Sequence, residues 1–409
     1  MVSEFFVNPK VIARLQAGPL GPHVGGFAEA MKVAGHPSSV VRIYIRTVAR
    51  LSRWMKRRRL EVLDLCEARV EEFLRPLERK RAGVAETVTG FVGHLRRGGI
   101  VGPPALKRLL TPSEVVQQDF AQYLKQARGL ADSTMVNYLW HVRRFLAEQY
   151  GNGPARLDGL DAYKITGFVL RHARGGSPLA AQVMTTALRS FLRFLRQRGE
   201  FACDLAACVP AVASWRLQGV PSSLQPHEVH RLLTSCDLRT AIGRRNRAVL
   251  LLLSRLGLRA CEVVALALDD IDWTAGEITV RGKGARRDRL PLPTDVGEAL
   301  AAYARRDRPP CKTRRFFICA RAPYGGFSGS GAVSRIVARA LRRADLHPRR
   351  RGAHLLRHTA AAQMLRRGAS LREIGEVLRH RRVKTTAIYA KIDLTSLRVL
   401  APHWPRGAR

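Results

Sequence analysis

The stretch GAHLLRHTAAAQML, Gly352 to Leu365, brings His354, Arg357 and His358 together at spacings of three and four. In a helix those spacings share one face, and the rest of the segment is mostly apolar. Two imidazoles beside a guanidinium suit an anion that must also exchange a proton. Guanidinium is permanently charged, planar and able to hold two oxygens at once, while imidazole gains and loses its proton near neutral pH. His-x-x-Arg alone says little here, because His94/Arg97, His141/Arg144, His347/Arg350 and His403/Arg406 repeat it in an arginine-rich chain. A solvated basic face explains those. His354/Arg357 differs in its company. GLRACEVVAL puts Arg259 just after a Gly-Leu break and three residues before Glu262. RGKGARRDRLPL puts Lys283 at a hairpin tip, and LRHRRVKTTAIYA supplies His380 and then Tyr389.

The charge balance indicates the partner. Lys plus Arg number 71 against 32 Asp plus Glu, a formal net charge of +39 over 409 residues. A surplus of that size, spread from end to end, points to nucleic acid held through its phosphates. A membrane surface fits poorly, since no basic amphipathic helix or polybasic block adjoins an apolar anchor. The longest apolar run, AVLLLL from Ala248 to Leu253, is too short to cross a bilayer, and MVSEFFVNPK lacks the pattern of a signal peptide. Seven cysteines, an odd number scattered from Cys66 to Cys319, predict reduced thiols in the cytoplasm, and nucleic-acid binding there predicts a nucleoid-associated protein. Cys203 and Cys208 have no second ligand pair nearby, which argues against zinc. Asp269, Asp270 and Asp272 sit beside a turn with no distant acidic partners, a poor match to a two-metal nuclease. GGFSGSG, Gly325 to Gly331, lacks the Gly-Lys-Ser/Thr ending of a nucleotide-binding loop and reads as surface.

The elements that must position these residues come in two textures. Before Leu224 nearly everything reads as helix, with apolar stripes over about 38–57, 66–80, 84–98, 113–127, 132–149, 161–173 and 179–198. Ser177 to Gly199 is the clearest, with a Ser cap, a first-turn Pro and a closing Gly. SSVVRIYIRTVARL at 38 resembles STMVNYLWHVRRFL at 133, each with a Ser start and a tyrosine (Tyr44, Tyr138). Leu65, Val70 and Phe73 recur 95 residues later as Leu160, Ile165 and Phe168, and Phe91, Leu95 and Gly99 recur 100 later as Phe191, Leu195 and Gly199. A duplicated helical module and chance likeness between amphipathic helices both fit this pattern. CVPAVASWRLQGVPSSL, Cys208 to Leu224, reads as a linker. Beyond it, RNRAVLLLLSRLG predicts a buried helix, EITVRGKGARRDRLPLP a hairpin, and Ser370/Glu373 a capping box in a returning helical region.

Taken in order, GLR…E, a hairpin Lys, HLLRH, L-x-H and TT-x-x-Y resemble the catalytic domain of the tyrosine recombinase (phage integrase) family over about 224–392. The helices of 113–200 resemble that family's core-binding domain. The resemblance implies a mainly α fold with a small β-sheet or hairpin (α+β), built from helical core-binding (SAM-like) modules followed by a catalytic domain. The boundaries expected are a helical module at 1–110, the core DNA-binding domain at 111–207, a linker at 208–223 and the catalytic domain at 224–409. It further implies a phosphate pocket of Arg259, Lys283, His354, Arg357 and His380, with Tyr389 as nucleophile. His358 itself reads as structural, hydrogen-bonded inside the domain. The chemistry asks for the same types. Attack on a phosphodiester builds charge that two guanidiniums can hold. Tyrosine, with a pKa of about 10, needs a base or a strong positive field. His354 is placed to accept or return that proton, His380 to hydrogen-bond a phosphate oxygen, and Lys283 to protonate the departing 5′-oxygen. The expected activity is site-specific recombination through a 3′-phosphotyrosyl link, which keeps the ester energy and needs no ATP, metal or other cofactor.

The partners implied are double-stranded DNA embraced by two domains, further subunits in a synaptic tetramer, and other recombinases. A mobile-element integrase or transposase is the setting expected, beside a chromosome-resolution recombinase and a catalytically silent DNA-binding paralogue. DNA contacts are expected at Arg286, Arg287, Arg349, Arg350, Arg351, Lys384, Arg143, Arg144, Arg189 and Arg193. The tail AKIDLTSLRVLAPHW would pack on a neighbouring subunit or fold back on its own domain. One departure stands out: Arg379 occupies a position where the family usually has glycine. A left-handed conformation there would cost arginine about 1 kcal/mol relative to glycine.

Overall fold

The computed structural model of the chain describes residues 2–77, 81–103, 111–151, 157–174, 177–212, 221–282, 287–380 and 382–392. Lys283, Arg286, half of the 208–223 linker and nearly all of the C-terminal tail lie outside these residues. The chain divides into two compact units, one of residues 103–218 and one of residues 1–102 with 219–409.

Residues 1–102 fold as α1 (Pro9–Leu15), α2 (Gly21–Val33), α3 (Ser38–Arg57), α4 (Glu67–Leu74) and α5 (Arg81–Arg97). Phe27, Ile45, Leu51 and Phe91, each at most 1% exposed, centre a core belonging to this segment alone. Its link to the rest of its unit includes Tyr324, whose backbone N–H donates to the Ala34 carbonyl at 3.2 Å. The Tyr324 ring lies over Gly35, where a Cβ would fall 2.3 Å from ring carbons, so only glycine admits that approach.

The second unit holds α6 (Pro112–Gln126), α7 (Asp132–Tyr150), α8 (Ala162–Ala173) and α9 (Pro178–Gln197). The start of α9 follows its residues: the Ser177 hydroxyl accepts from the Ala180 N–H at 3.2 Å, and Pro178 fills a first-turn position that needs no donor. Glu114 closes a capping box on Thr111 at the start of α6. The core is aromatic, with Phe120, Phe145, Phe168 and Phe191 all fully buried and Phe120 edge-on to Phe191.

The last four helices of the first segment, α2–α5, correspond in order to α6–α9 of the second. Leu65, Phe73, Phe91 and Leu95 are buried in one, and Leu160, Phe168, Phe191 and Leu195 in the other. Gly99 and Gly199 both have positive φ, +69° and +79°, one residue past the cap of α5 and α9. Each is followed by a residue (Ile100, Glu200) whose N–H returns to the carbonyl of Leu95 or Leu195, the same helix ending twice.

The 219–409 part is built around α11 (Ala241–Arg255), preceded by α10 (Pro226–Thr234). Ala248 to Leu253 are each at most 1% exposed, so the run that was too short for a membrane forms the middle of the core. Burying each such leucine stabilises by about 1.5–3 kcal/mol. After α12 (Ala260–Ala265) comes a three-stranded antiparallel sheet in order β1 (Ile271–Asp272), β2 (Glu277–Arg281), β3 (Arg287–Pro291). Pairing of Ile278 with Leu290 and Val280 with Asp288 turns Ile278 and Val280 into the core. This register is the predicted hairpin, and Arg287 lies in its second strand rather than in the turn. The chain continues through α13 (Thr294–Arg306), α14 (Ser330–Arg343), α15 (Ala353–Arg366), α16 (Leu371–Val377) and α17 (Val383–Thr386), then a 3-10 turn, Ala387–Ile392. Helix α15 is buried on several sides, with Leu355, Leu356, Thr359, Ala360 and Ala361 all at most 2% exposed. The Thr359 hydroxyl also accepts from the Leu224 N–H at 3.0 Å, fixing the start of the catalytic part to this helix.

Candidate active site

Gly257 ends α11 in the left-handed region (φ +59°), and a Cβ there would lie 2.5 Å from Leu378 Cδ2. The Gly-Leu break of the sequence is therefore a sharp turn that only glycine makes without strain. It delivers Arg259 to the cap of α12. There the backbone N–H of Arg259 donates to Glu262 Oε2 at 2.8 Å and its Nη1 to Oε1 at 2.7 Å. Glu262 is 3% exposed and also accepts from Arg379 Nη2 at 2.8 Å. Burial alone would raise its pKa, yet the Arg259 N–H and the Arg379 and Arg259 charges hold the carboxyl below its usual value. Arg259 is thus fixed by a buried carboxylate, its second nitrogen free to turn elsewhere.

That nitrogen, Nη2, donates to the carbonyl of Arg379 at 3.2 Å. Arg357, one turn into α15 and 4% exposed, donates to the carbonyls of Gly257 and Leu378. Two arginines nearly 100 residues apart in sequence thus meet at the C-terminal end of α16. The geometry there is a Schellman ending: the His380 N–H returns to Gly375 O and the Arg379 N–H to Glu376 O, both at 2.9 Å. Arg379 takes the left-handed position (φ +55°), as its place in the sequence predicts for a residue standing where glycine is usual. Its ion pair with Glu262 is the offsetting contact.

His354, Arg259 and Arg357 line one cleft of about 290 Å³, with Ser330 and Ser334 on its other wall. Enclosure, then the charges of Arg357, Arg259 and Arg350, hold His354 below the usual imidazole value. Burial and neighbouring positive groups push His358 and His380 down to about 4, so both rings are neutral at neutral pH. Arg357 is pushed down to about 10, chiefly by burial and then by Arg259, and stays charged.

Tyr389, on the final 3-10 turn, is 1% exposed. Its hydroxyl shares a 3.0 Å hydrogen bond with His358 Nδ1. Burial raises the phenol's pKa, and the Arg357 charge works against that rise. On its other side the His380 ring lies parallel at 6.4 Å, and His380 Nδ1 is bonded to the Thr386 hydroxyl at 2.8 Å. Thr386 is one of the two threonines of the TT-x-x-Y pattern and is 2% exposed.

Five of the six residues expected in the pocket can be placed, and Arg259, His354, Arg357, His380 and Tyr389 converge. Lys283 lies outside the described residues, as do Arg286 and the side chain of Lys384. Arg287, Arg349, Arg350 and Arg351 are exposed, and the Arg350 charge reaches His354 and His358. Arg143, Arg144 and Arg193 are exposed on α7 and α9. Arg189 departs from the expected DNA contact: its guanidinium is turned inward, donating to the Val209 and Pro210 carbonyls at 2.9 and 3.1 Å. Its job in this structure is to tie down the chain after α9. His358, expected to be hydrogen-bonded inside the domain, has Tyr389 as its partner 31 residues away, and the pairing of Arg379 with Glu262 across 117 is one that pattern reading missed. The doubled histidine of HLLRH and the arginine in a glycine position were the available signals. Asp270 and Asp269 are engaged with Arg281 and Arg314.

A mainly helical chain with a small antiparallel sheet, in which two arginines and a histidine share a cleft and two more histidines flank a buried tyrosine, defines a tyrosine recombinase, a class of site-specific DNA recombinases. The chain belongs to the phage integrase family. That family's catalytic model matches residues 222–395, and the model described as phage integrase, N-terminal SAM-like domain, matches 118–199. The "Putative integrase/recombinase y4rA" of Sinorhizobium fredii is 41% identical over 99% of this chain and 100% of its own length. Tyrosine recombinase XerD of Mycobacterium tuberculosis is 32% identical, covering 71% of this chain and 97% of the relative. Among solved structures, the XerH site-specific recombinase bound to palindromic difH substrate shares the fold with a TM-score of 0.55 at 18% identity, over 73% of this chain and 98% of that one. A lambda integrase dimer bound to a COC′ core site gives 0.52 at 17% identity, over 76% and 87%. Among the described residues no helix is long and apolar enough to cross a membrane.

Proposed function

We propose that the chain cuts and rejoins DNA through Tyr389, as the integrase or transposase of a mobile element working on DNA in the cytoplasm. The observation that carries this reading is the meeting of Arg259 and Arg357 beside a buried tyrosine whose hydroxyl already has a neutral imidazole as partner. In the reaction the phenol oxygen of Tyr389 forms a bond to phosphorus and the bond from phosphorus to the 5′-oxygen breaks. The phenol proton passes to an imidazole, and the departing 5′-oxygen takes up a proton from the Lys283 ammonium. Arg259 and Arg357 exchange their carbonyl partners for the non-bridging oxygens, whose charge grows in the transition state. His354 at the cleft mouth and His380 beside Thr386 complete the hydrogen bonds to those oxygens. Resealing runs the same steps backwards with a different 5′-hydroxyl, and no ATP or metal enters the balance.

The mobile-element setting is supported by relatives that match this chain from end to end and carry putative integrase/recombinase names. Assembly of a synaptic tetramer, to which partner recombinases can contribute, belongs to the same proposal.

The test is a covalent trap. Supercoiled DNA carrying the gene's native flanks is incubated with the protein in excess chelator, quenched in detergent, and run beside Tyr389→Phe. A protein–DNA band present in the wild type and absent from the variant is expected. A band in both, or one that needs added metal, would refute the assignment.

A further inference from the structure

Helix α3 carries Arg42, Arg46, Arg50, Arg53 and Arg57, all exposed. At 100° per residue they fall within an arc of about 80°, in a stripe roughly 22 Å long. The buried residues of α3, among them Ile45, Val48 and Ser52, point away from it into the core. Among the described residues no carboxylate pairs with any of the five. Elsewhere in the same segment cations are matched: Arg58 and Arg69 share Glu72, and Arg96 meets Glu67. Three of the stripe's arginines are also held in place. Arg42 Nε donates to the Phe5 carbonyl at 2.8 Å, Arg53 Nε to Ala49 O at 3.3 Å, and Arg46 lies over the Phe6 ring at 5.5 Å.

Like charges at i,i+4 weaken a helix, so the stripe works against the segment that bears it unless a polyanion lies along it. The second observation is the fold. Within residues 1–102, α2–α5 repeat the helix order, the buried positions and the left-handed terminal glycine of the SAM-like segment that follows, with α1 as an addition ahead of them. They lie ahead of residue 118, where the match to the family's SAM-like domain begins.

We propose that residues 1–102 are a second copy of the helical module and that they grip duplex DNA by its phosphates, along the arginine stripe of α3. The proposal extends the DNA-acting reading of the catalytic site and rests on it. Phosphate is the favoured target because a row of guanidiniums on one helix face meets a charge every ~1.7 Å of duplex axis. A lipid surface is disfavoured, since among the residues of α3 Ile43, at 57% exposed, is the one large apolar side chain exposed.

The test is read without cleavage, in full-length Tyr389→Phe, so its failure is separate from failure of the catalytic reading. Binding to a mixed-sequence duplex several turns long is measured against salt, with and without Arg46→Gln, Arg50→Gln and Arg57→Gln together. The log–log slope should become shallower by about 2.7, roughly 0.9 for each phosphate contact removed. Lysine at the same three positions should keep the slope, which separates lost charge from lost folding. An unchanged slope would overturn the proposal. So would an equal fall from Arg305→Gln, Arg306→Gln and Arg321→Gln, exposed residues outside the stripe. Loss of crosslinked oligomers with no change in slope would instead assign the stripe to a second copy of the chain.

Discussion

His358 and His380 flank Tyr389 and His354 lies next to His358, and the environment gives all three the same bias. His354, His358 and His380 are each held below the ordinary imidazole value by enclosure and by the arginines around them. For His358 and His380 the folded value is about 4, against about 6.5 for an unperturbed ring. Between those values the unfolded chain binds more protons than the folded one, so stability is full above pH 6.5 and falls as pH drops towards 4. From pH 7 to pH 5 the two rings together should remove on the order of 2–4 kcal/mol, read from urea midpoints at each pH. His358→Leu with His380→Asn should flatten that dependence. A variant as acid-sensitive as the parent would place the titrating groups elsewhere. The types in this cluster were legible because phosphate chemistry dictates them. Which ring would touch the phenol was not, since HLLRH offers His354 and His358 alike and the choice is made by where the turn after α16 sets Tyr389.

Helix α16 shows how an element can carry a site without supplying a catalytic side chain. Its start is written in the sequence: Ser370 and Glu373 cap one another, with Glu373 Oε2 accepting from the Ser370 N–H at 2.7 Å. Its end exposes the carbonyls that Arg259 and Arg357 hold. Glycine at position 379 would relieve the left-handed strain, worth about 1 kcal/mol. Arginine there instead gives buried Glu262 a second charged partner at 2.8 Å, an interaction worth about 1.5–3 kcal/mol. Arg379→Gly should therefore destabilise the chain by about 0.5–2 kcal/mol in chemical denaturation. A more stable glycine variant would mean that Arg259 alone satisfies the carboxylate. The amphipathic helices were legible within a few residues, as at 38–57, because their stripes point to one core. Where ends depended on tertiary partners they were not. The helix expected over 66–80 stops at Leu74, and β1 exists only as the short partner of β2.

At the scale of the chain, composition and pattern reached different depths. The net charge of +39 named nucleic acid before any element was placed, whereas the grouping of 1–102 with 219–409 was invisible. It includes contacts such as Tyr324 on Ala34 and Gly35, which no helical period encodes. The charge predicts how binding must behave. Each phosphate neutralised by Lys or Arg releases condensed counterion, so affinity falls linearly on a log–log plot against salt. With exposed arginines before α15, on β3, α7 and α9 and along α3, six to ten contacts are a modest demand, and affinity for any duplex should drop about 10³–10⁵-fold between about 50 and 200 mM salt. Since the phosphate backbone is uniform, mixed-sequence DNA should give nearly the slope of the native flanks, while absolute affinity separates the two. Fluorescence anisotropy with both duplexes, in the Tyr389→Phe background to prevent trapping, measures this directly. A slope corresponding to fewer than about three contacts would mean that most of the surplus charge faces something other than DNA.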